Sequence, residues 1–212
     1  MTPSPWWYRR RALTIGAIYL AGFFFGPLIS GFVNLPVDPT FIVLGRHFGA
    51  FGDRPFLIAA VVLAAACWGL RAWGGAYLRP STVWNPDALN DRLIIAGPFR
   101  FVRNPLYLGN VLLALAMGVY ATPLGAVLIV IGNVAIGFAL MSVEETLLRT
   151  RYGAAFEAYA AAVPAMLPRP LPWRGAPAGG AAPSLALGLR SELFSGAFVL
   201  GTAIVAIYFW NR

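Results

Sequence analysis

The chain has 212 residues, 59% hydrophobic and 11% charged, with a formal net charge of +8 and a mean hydropathy of +0.70. This balance excludes an ordinary soluble domain, and apolar runs of spanning length point to a polytopic, all-α integral membrane protein. All sixteen basic residues are arginines, many of them near the ends of apolar runs, where membrane topology puts them, and no basic face is left for a nucleic acid.

Trp6-Trp7-Tyr8 followed by Arg9-Arg10-Arg11 reads as an interfacial anchor on the cytoplasmic side. Residues 13–33 form the first expected span, too long for a signal-peptide core and without a cleavage site behind it. Two prolines in Asn34-Leu35-Pro36-Val37-Asp38-Pro39 end it. The region up to Pro55 is expected to be an external loop with one short interfacial helix, its Arg46 and Arg54 balanced by Asp38 and Asp53. His47 lies there with no Cys, Asp or Glu at ligand spacing, so no metal site is expected. The second span is expected over residues 56–77. It carries Cys67, a lone thiol suited to a small core position, and Arg71 between Trp68 and Trp73. An arginine inside a span is either a functional residue or one that snorkels to the headgroups beside an aromatic belt, and the second reading is favoured here.

Residues 79–104 form the first substantial polar segment, with Arg79, Asp87, Asp91, Arg92, Arg100 and Arg103, and positive-inside counting puts it in the cytoplasm with the N-terminus. A short third span over residues 105–120 starts on Pro105 behind a capping Asn104, and Pro123 opens a fourth span to residue 142 after a tight turn. Such a hairpin returns the chain to the side it left. Glu144-Glu145 at its exit must therefore lie near Arg103-Asn104-Pro105-Leu106-Tyr107 at its entrance. Beyond the pair one amphipathic helix is expected, with Leu148, Tyr152, Phe156, Tyr159 and Val163 on its apolar face, ending at Pro164. Residues 168–183 read as a cytoplasmic linker of Pro, Gly and Ala, and residues 193–210 as a fifth span.

The two ends of the hairpin carry a coherent chemistry. Arg100 and Arg103 suit a carboxylate or phosphate, and the first turn at Pro105 adds backbone N–H groups for an anion. Glu144 and Glu145 call for cationic or hydroxyl partners, while Phe99, Phe101 and Tyr107 offer flat faces to an aromatic ring. S-adenosylmethionine, with a carboxylate, an ammonium, ribose hydroxyls and an adenine, has all the matching groups.

Gly97-Pro98-Phe99-Arg100-Phe101-Val102-Arg103-Asn104-Pro105-Leu106-Tyr107, then a hairpin, then Glu144-Glu145, then Arg151-Tyr152-Gly153 with Phe156 and Tyr159, and finally Val163-Pro164 with Pro168, resembles the isoprenylcysteine carboxyl methyltransferase and phosphatidylethanolamine methyltransferase superfamily. The resemblance covers residues 65–169. It implies an S-adenosylmethionine-dependent methyltransferase whose cofactor site is lined by Arg103, Asn104, Tyr107, Glu144 and Glu145. Gly97, Arg100 and Pro105 are expected beside them as cofactor-binding residues, with a lipid headgroup the open alternative for Arg100. Arg103, Glu144 and Glu145 are the residues expected closest to catalysis. The histidine common before the family's proline is Asn104 here, which keeps hydrogen bonding but cannot act as a base near pH 7. On this reading residues 1–78 are a two-span region, 79–169 the catalytic core, and 170–212 a linker and span without an assigned role. Membrane lipids surround the chain, and a lipophilic acceptor of isoprenoid or phospholipid type would enter from the bilayer. The site would face the cytoplasm, with the bacterial inner membrane the expected location. Two alternatives stay open: an NADPH-dependent reductase of the sterol-reductase type, and a non-catalytic membrane protein that binds a lipid or a partner.

Overall fold

The computed structural model describes residues 8, 10–49, 52–78, 93–175 and 183–211. Trp6, Trp7 and Arg9 of the expected anchor, Arg79, Asp87, Asp91 and Arg92 of the polar segment, and residues 176–182 of the expected linker lie outside them. All described elements are helical: α1 (Arg11–Phe32), α2 (Thr40–Phe48), α3 (Arg54–Gly75), α4 (Pro105–Gly118), α5 (Pro123–Tyr152), α6 (Ala154–Ala162), α7 (Leu185–Ser191) and α8 (Leu193–Trp210). Four of them, α1, α3, α5 and α8, are long and apolar enough to cross a membrane. The expected third span is α4, whose 14 residues reach only about 21 Å against a ~30 Å hydrocarbon core.

The chain divides into two compact units. One comprises Ala12–Cys67, Asn110–Ile136 and Ser195–Arg212. Within it α1 widens into a π-helical turn over Ala21–Phe25, where the Gly26 N–H reaches back to the Ala21 carbonyl. Pro27, two residues on, has no N–H to offer Phe23, so the ordinary ladder is already broken there. Gly22 and Gly26, four residues apart, let α1 approach Gly125 of α5, and a Cβ on Gly26 would stand 2.7 Å from the Gly125 Cα. The Thr122 hydroxyl caps α5 by accepting from Gly125 N at 3.2 Å, directly before Pro123. Cys67 packs with Leu113 and Met117 in an apolar cluster, as its surroundings in the sequence suggest. Arg46 pairs with Asp38 on the short helix α2 and the loop before it.

The other unit comprises Met1–Arg11, Trp68–Gly109 and Gly137–Phe194. Two sequence readings need correction here. The amphipathic helix after Glu144 is not continuous, because Gly153 takes φ +49° and separates α5 from α6. Its apolar face nevertheless forms as patterned, with Phe156, Tyr159 and Val163 buried around Ile95 and Leu148 and Tyr152 beside them. Residues 168–175 are not a loose linker either. The Arg169 N–H donates to the Phe101 carbonyl at 3.0 Å, and the Trp173 N–H to the Arg100 carbonyl at 2.9 Å.

Arg71 also departs from expectation. It does not snorkel; its Nε and Nη2 grip the two oxygens of Glu192 at 2.6 and 3.0 Å, and Glu192 is only 2% exposed. A desolvated charge in a span is tolerable when a partner is nearer than the headgroups, and the bidentate fork supplies one. Helix α7 docks beside this pair: Gly188 sits against the Ala72 carbonyl, and the Ser184 N–H reaches Ala76 O at 2.9 Å.

Gly26→Leu should therefore force α1 and α5 apart, lowering stability by about 1–3 kcal/mol. Thermal melts in detergent, with Gly31→Leu as a control at a position where a Cβ meets nothing, check the expectation.

Candidate active site

Glu144 and Glu145 are successive residues of one helix, so their side chains leave the axis about 100° apart and find different neighbours. Glu144 Oε1 accepts from the Tyr107 hydroxyl at 2.7 Å, the Tyr8 hydroxyl at 2.9 Å and Arg11 Nη1 at 3.4 Å. All three donors converge on that one oxygen. Glu145 Oε1 accepts from Arg103 Nε and Nη2 at 3.0 and 2.8 Å, while Arg149 lies 3.7 Å from its other oxygen. Burial and the Glu144 carboxylate push the Tyr8 phenol well above its ordinary range, with Arg11 opposing only in part. Tyr8 therefore stays protonated and remains a donor.

The stretch before α4 is held as a rigid loop. Gly97 takes φ +56°, and a Cβ there would run into the Tyr77 ring, so only glycine fits. A 3-10 turn over Gly97–Arg100 follows, with Pro98 buried. From the other side residues 159–173 clasp it. Tyr159 donates its hydroxyl to Phe99 O at 2.7 Å, Arg103 N donates to Pro164 O at 2.9 Å, and Asn104 Nδ2 donates to Ala165 O at 3.1 Å. Arg103 is the hub. Besides Glu145, its Nη1 donates to the Ala160 and Val163 carbonyls at 2.8 and 2.5 Å, which caps the end of α6. Burial raises the Tyr159 phenol above its usual range, partly offset by the Arg103 charge, so its bond to Phe99 persists at neutral pH.

Residues 55–155 match the family model described as phospholipid methyltransferase. Over these residues the chain is similar to the phospholipid methyltransferase family. No curated protein and no solved structure matches the chain. The family match together with the apolar helices supports an integral membrane protein and, in general terms, a membrane methyltransferase.

The matched segment contains all but the first residue of α3 and all of α4 and α5, and with them the carboxylate pair and Arg103. The inference from the hairpin holds: Arg103 meets Glu145, and Tyr107 meets Glu144. Three other residues face elsewhere. Arg100 Nε donates to Trp173 O at 2.7 Å, the Asn104 amide is taken up by the clasp, and the Phe101 ring packs on Trp73. Pro105 is buried at the start of α4, over Gly74. Sequence reading missed Tyr8 and Arg11 as partners of Glu144, because an aromatic and basic cluster before a span has a sufficient explanation as an anchor. It also missed Arg149 Nε, which donates to Glu157 Oε1 at 3.0 Å across the Gly153 break.

Arg103→Ala leaves Glu145 without its main partner and two carbonyls uncapped, so a loss of about 3–5 kcal/mol is expected. Tyr107→Phe removes one donor of three and should cost about 1–2 kcal/mol. Denaturation of the two variants side by side in mixed micelles checks the order.

Proposed function

We propose that Glu144, Glu145 and the start of α4 form the S-adenosylmethionine site of an enzyme that methylates a lipophilic acceptor entering from the bilayer. The observation that carries this reading is the one-sided loading of Glu144. Three donors occupy Oε1, the side chain is 31% exposed, and among the described residues no hydrogen bond ends on Oε2, which leaves that oxygen for a ligand. A carboxylate held in this way suits an ammonium or the two hydroxyls of a ribose. Gly97, Arg100, Asn104 and Pro105 support the site from behind by shaping the loop that leads into α4. Arg103 spends four of its five N–H bonds on Glu145 and α6, which makes it chiefly the strut of Glu145, with one Nη2 N–H remaining for a ligand carboxylate.

When bound, the cofactor supplies an electrophilic methyl carbon: the carbon–sulfur bond breaks as a bond to the acceptor forms, and the sulfonium charge is neutralised. The chain's own task is then to orient and to exclude water. A thiolate or carboxylate acceptor needs no base. An amine acceptor must first lose a proton, and one of the two glutamates would be the base. The cytoplasmic side of a bacterial inner membrane, where the cofactor is made, is the matching location, and the arginines flanking the spans favour it.

Calorimetry on the purified protein should show S-adenosylhomocysteine binding, weakened about tenfold to a hundredfold in Glu144→Ala, as expected for loss of a charged hydrogen bond. Labelled methyl should pass from S-adenosylmethionine into a total lipid extract. Binding of NADPH in place of S-adenosylhomocysteine would turn the reading toward a reductase, and binding of neither toward a non-catalytic role.

A further inference from the structure

The segment behind the family match holds an acidic residue that the site described above does not use. Glu192 lies between α7 and α8, 2% exposed, and is bound through both oxygens to Arg71. The third nitrogen of the same guanidinium, Nη1, donates to the Leu106 carbonyl at 3.2 Å. Leu106 stands in the first turn of α4, next to Tyr107, which donates to Glu144. We infer that Glu192 and Arg71 are positioning residues for the candidate site, with Glu192 aiming the arginine and the arginine fixing the turn that presents Tyr107.

Three observations support this. Stability alone is a poor reason for the pair, since apolar side chains of similar volume can often replace a buried ion pair without loss, and a span accepts them readily. The guanidinium makes a polar bond outside the pair, and that bond ends on the candidate site rather than on a headgroup-facing surface. Both sides of the linkage are also tightly packed. At Gly74 a Cβ would stand 2.9 Å from Leu106 Cδ1 and 3.6 Å from Pro105 Cγ, so the first turn of α4 lies directly on the end of α3. At Gly188 a Cβ would meet the Ala72 carbonyl and would stand 2.8 Å from Ala76 N, so the helix carrying the chain into Glu192 is seated on the same end. A shift of Glu192 would thus be passed to α4 rather than absorbed by loose packing.

The inference rests on the cofactor reading for its consequence but not for its mechanics, and the test separates the two. The full chain in nanodiscs is compared with Arg71→Met/Glu192→Leu, which removes both charges and keeps apolar volume. Melting temperature, hydrogen exchange over residues 105–109 and S-adenosylhomocysteine affinity are measured. The expected result is melting close to the parent, exchange over 105–109 faster by about tenfold, and affinity weaker by about tenfold to a hundredfold. Should the double variant not fold, Glu192→Gln, which keeps the shape and one acceptor, is expected to show the same two changes. Unchanged exchange, or faster exchange with unchanged affinity, overturns the positioning role. Faster exchange in a chain whose parent binds no S-adenosylhomocysteine keeps the linkage and overturns the cofactor reading instead.

Discussion

Two carboxylates on consecutive residues of an apolar helix cannot share one environment, and the unit around them is arranged to give each its own. The helix turn sends Glu144 toward hydroxyls and an arginine from the N-terminal segment, and Glu145 toward Arg103. In surroundings of low polarity, leaving either charge unpaired would cost several kcal/mol, so the donors have to be fixed before the helix can carry the pair. The rest of the unit follows from that need. The loop from Gly97 to Asn104 holds Arg103 in place, and residues 159–173 hold the loop.

This arrangement makes lysine a poor substitute for Arg103. A lysine ammonium is a point charge with three donors, whereas Arg103 reaches a carboxylate on one edge and two helix-terminal carbonyls on another. One planar group thereby sets the distance between α5, the loop and the end of α6. A carboxylate loaded on one oxygen is, for the same reason, a preorganised one: its free face points in a direction chosen by the protein before any ligand arrives.

What could be read from the sequence was whatever depends on local pattern. Hydropathy put the last span at residues 193–210, matching Leu193–Trp210, and the first at 13–33 against Arg11–Phe32. The short hairpin was enough to bring Glu144-Glu145 to Arg103 and Tyr107, because chain length alone limits where the exit can go. Pairings across the chain were not legible. Nothing near Arg71 announces a partner 121 residues away, and one glutamate before an apolar run looks like a span boundary. The segment of Pro168, Pro170 and Pro172 reads as a linker because composition records side chains, while the bonds that fasten it are made by backbone groups at Arg169 and Trp173. The break at Gly153 was marked by the glycine itself, but helical periodicity runs through it and masks the interruption.

The separation between Arg71 and Glu192 has a consequence for biosynthesis. The ribosome delivers the arginine 121 residues before the carboxylate that neutralises it, roughly 6–24 s at ordinary elongation rates. Through that interval α3 holds an uncompensated cation within an apolar helix, a state that favours lingering at the insertion machinery or near the headgroups over full immersion. Final seating of that helix is thus timed by translation of the C-terminal segment, which makes the end of the chain a late assembly factor for its middle.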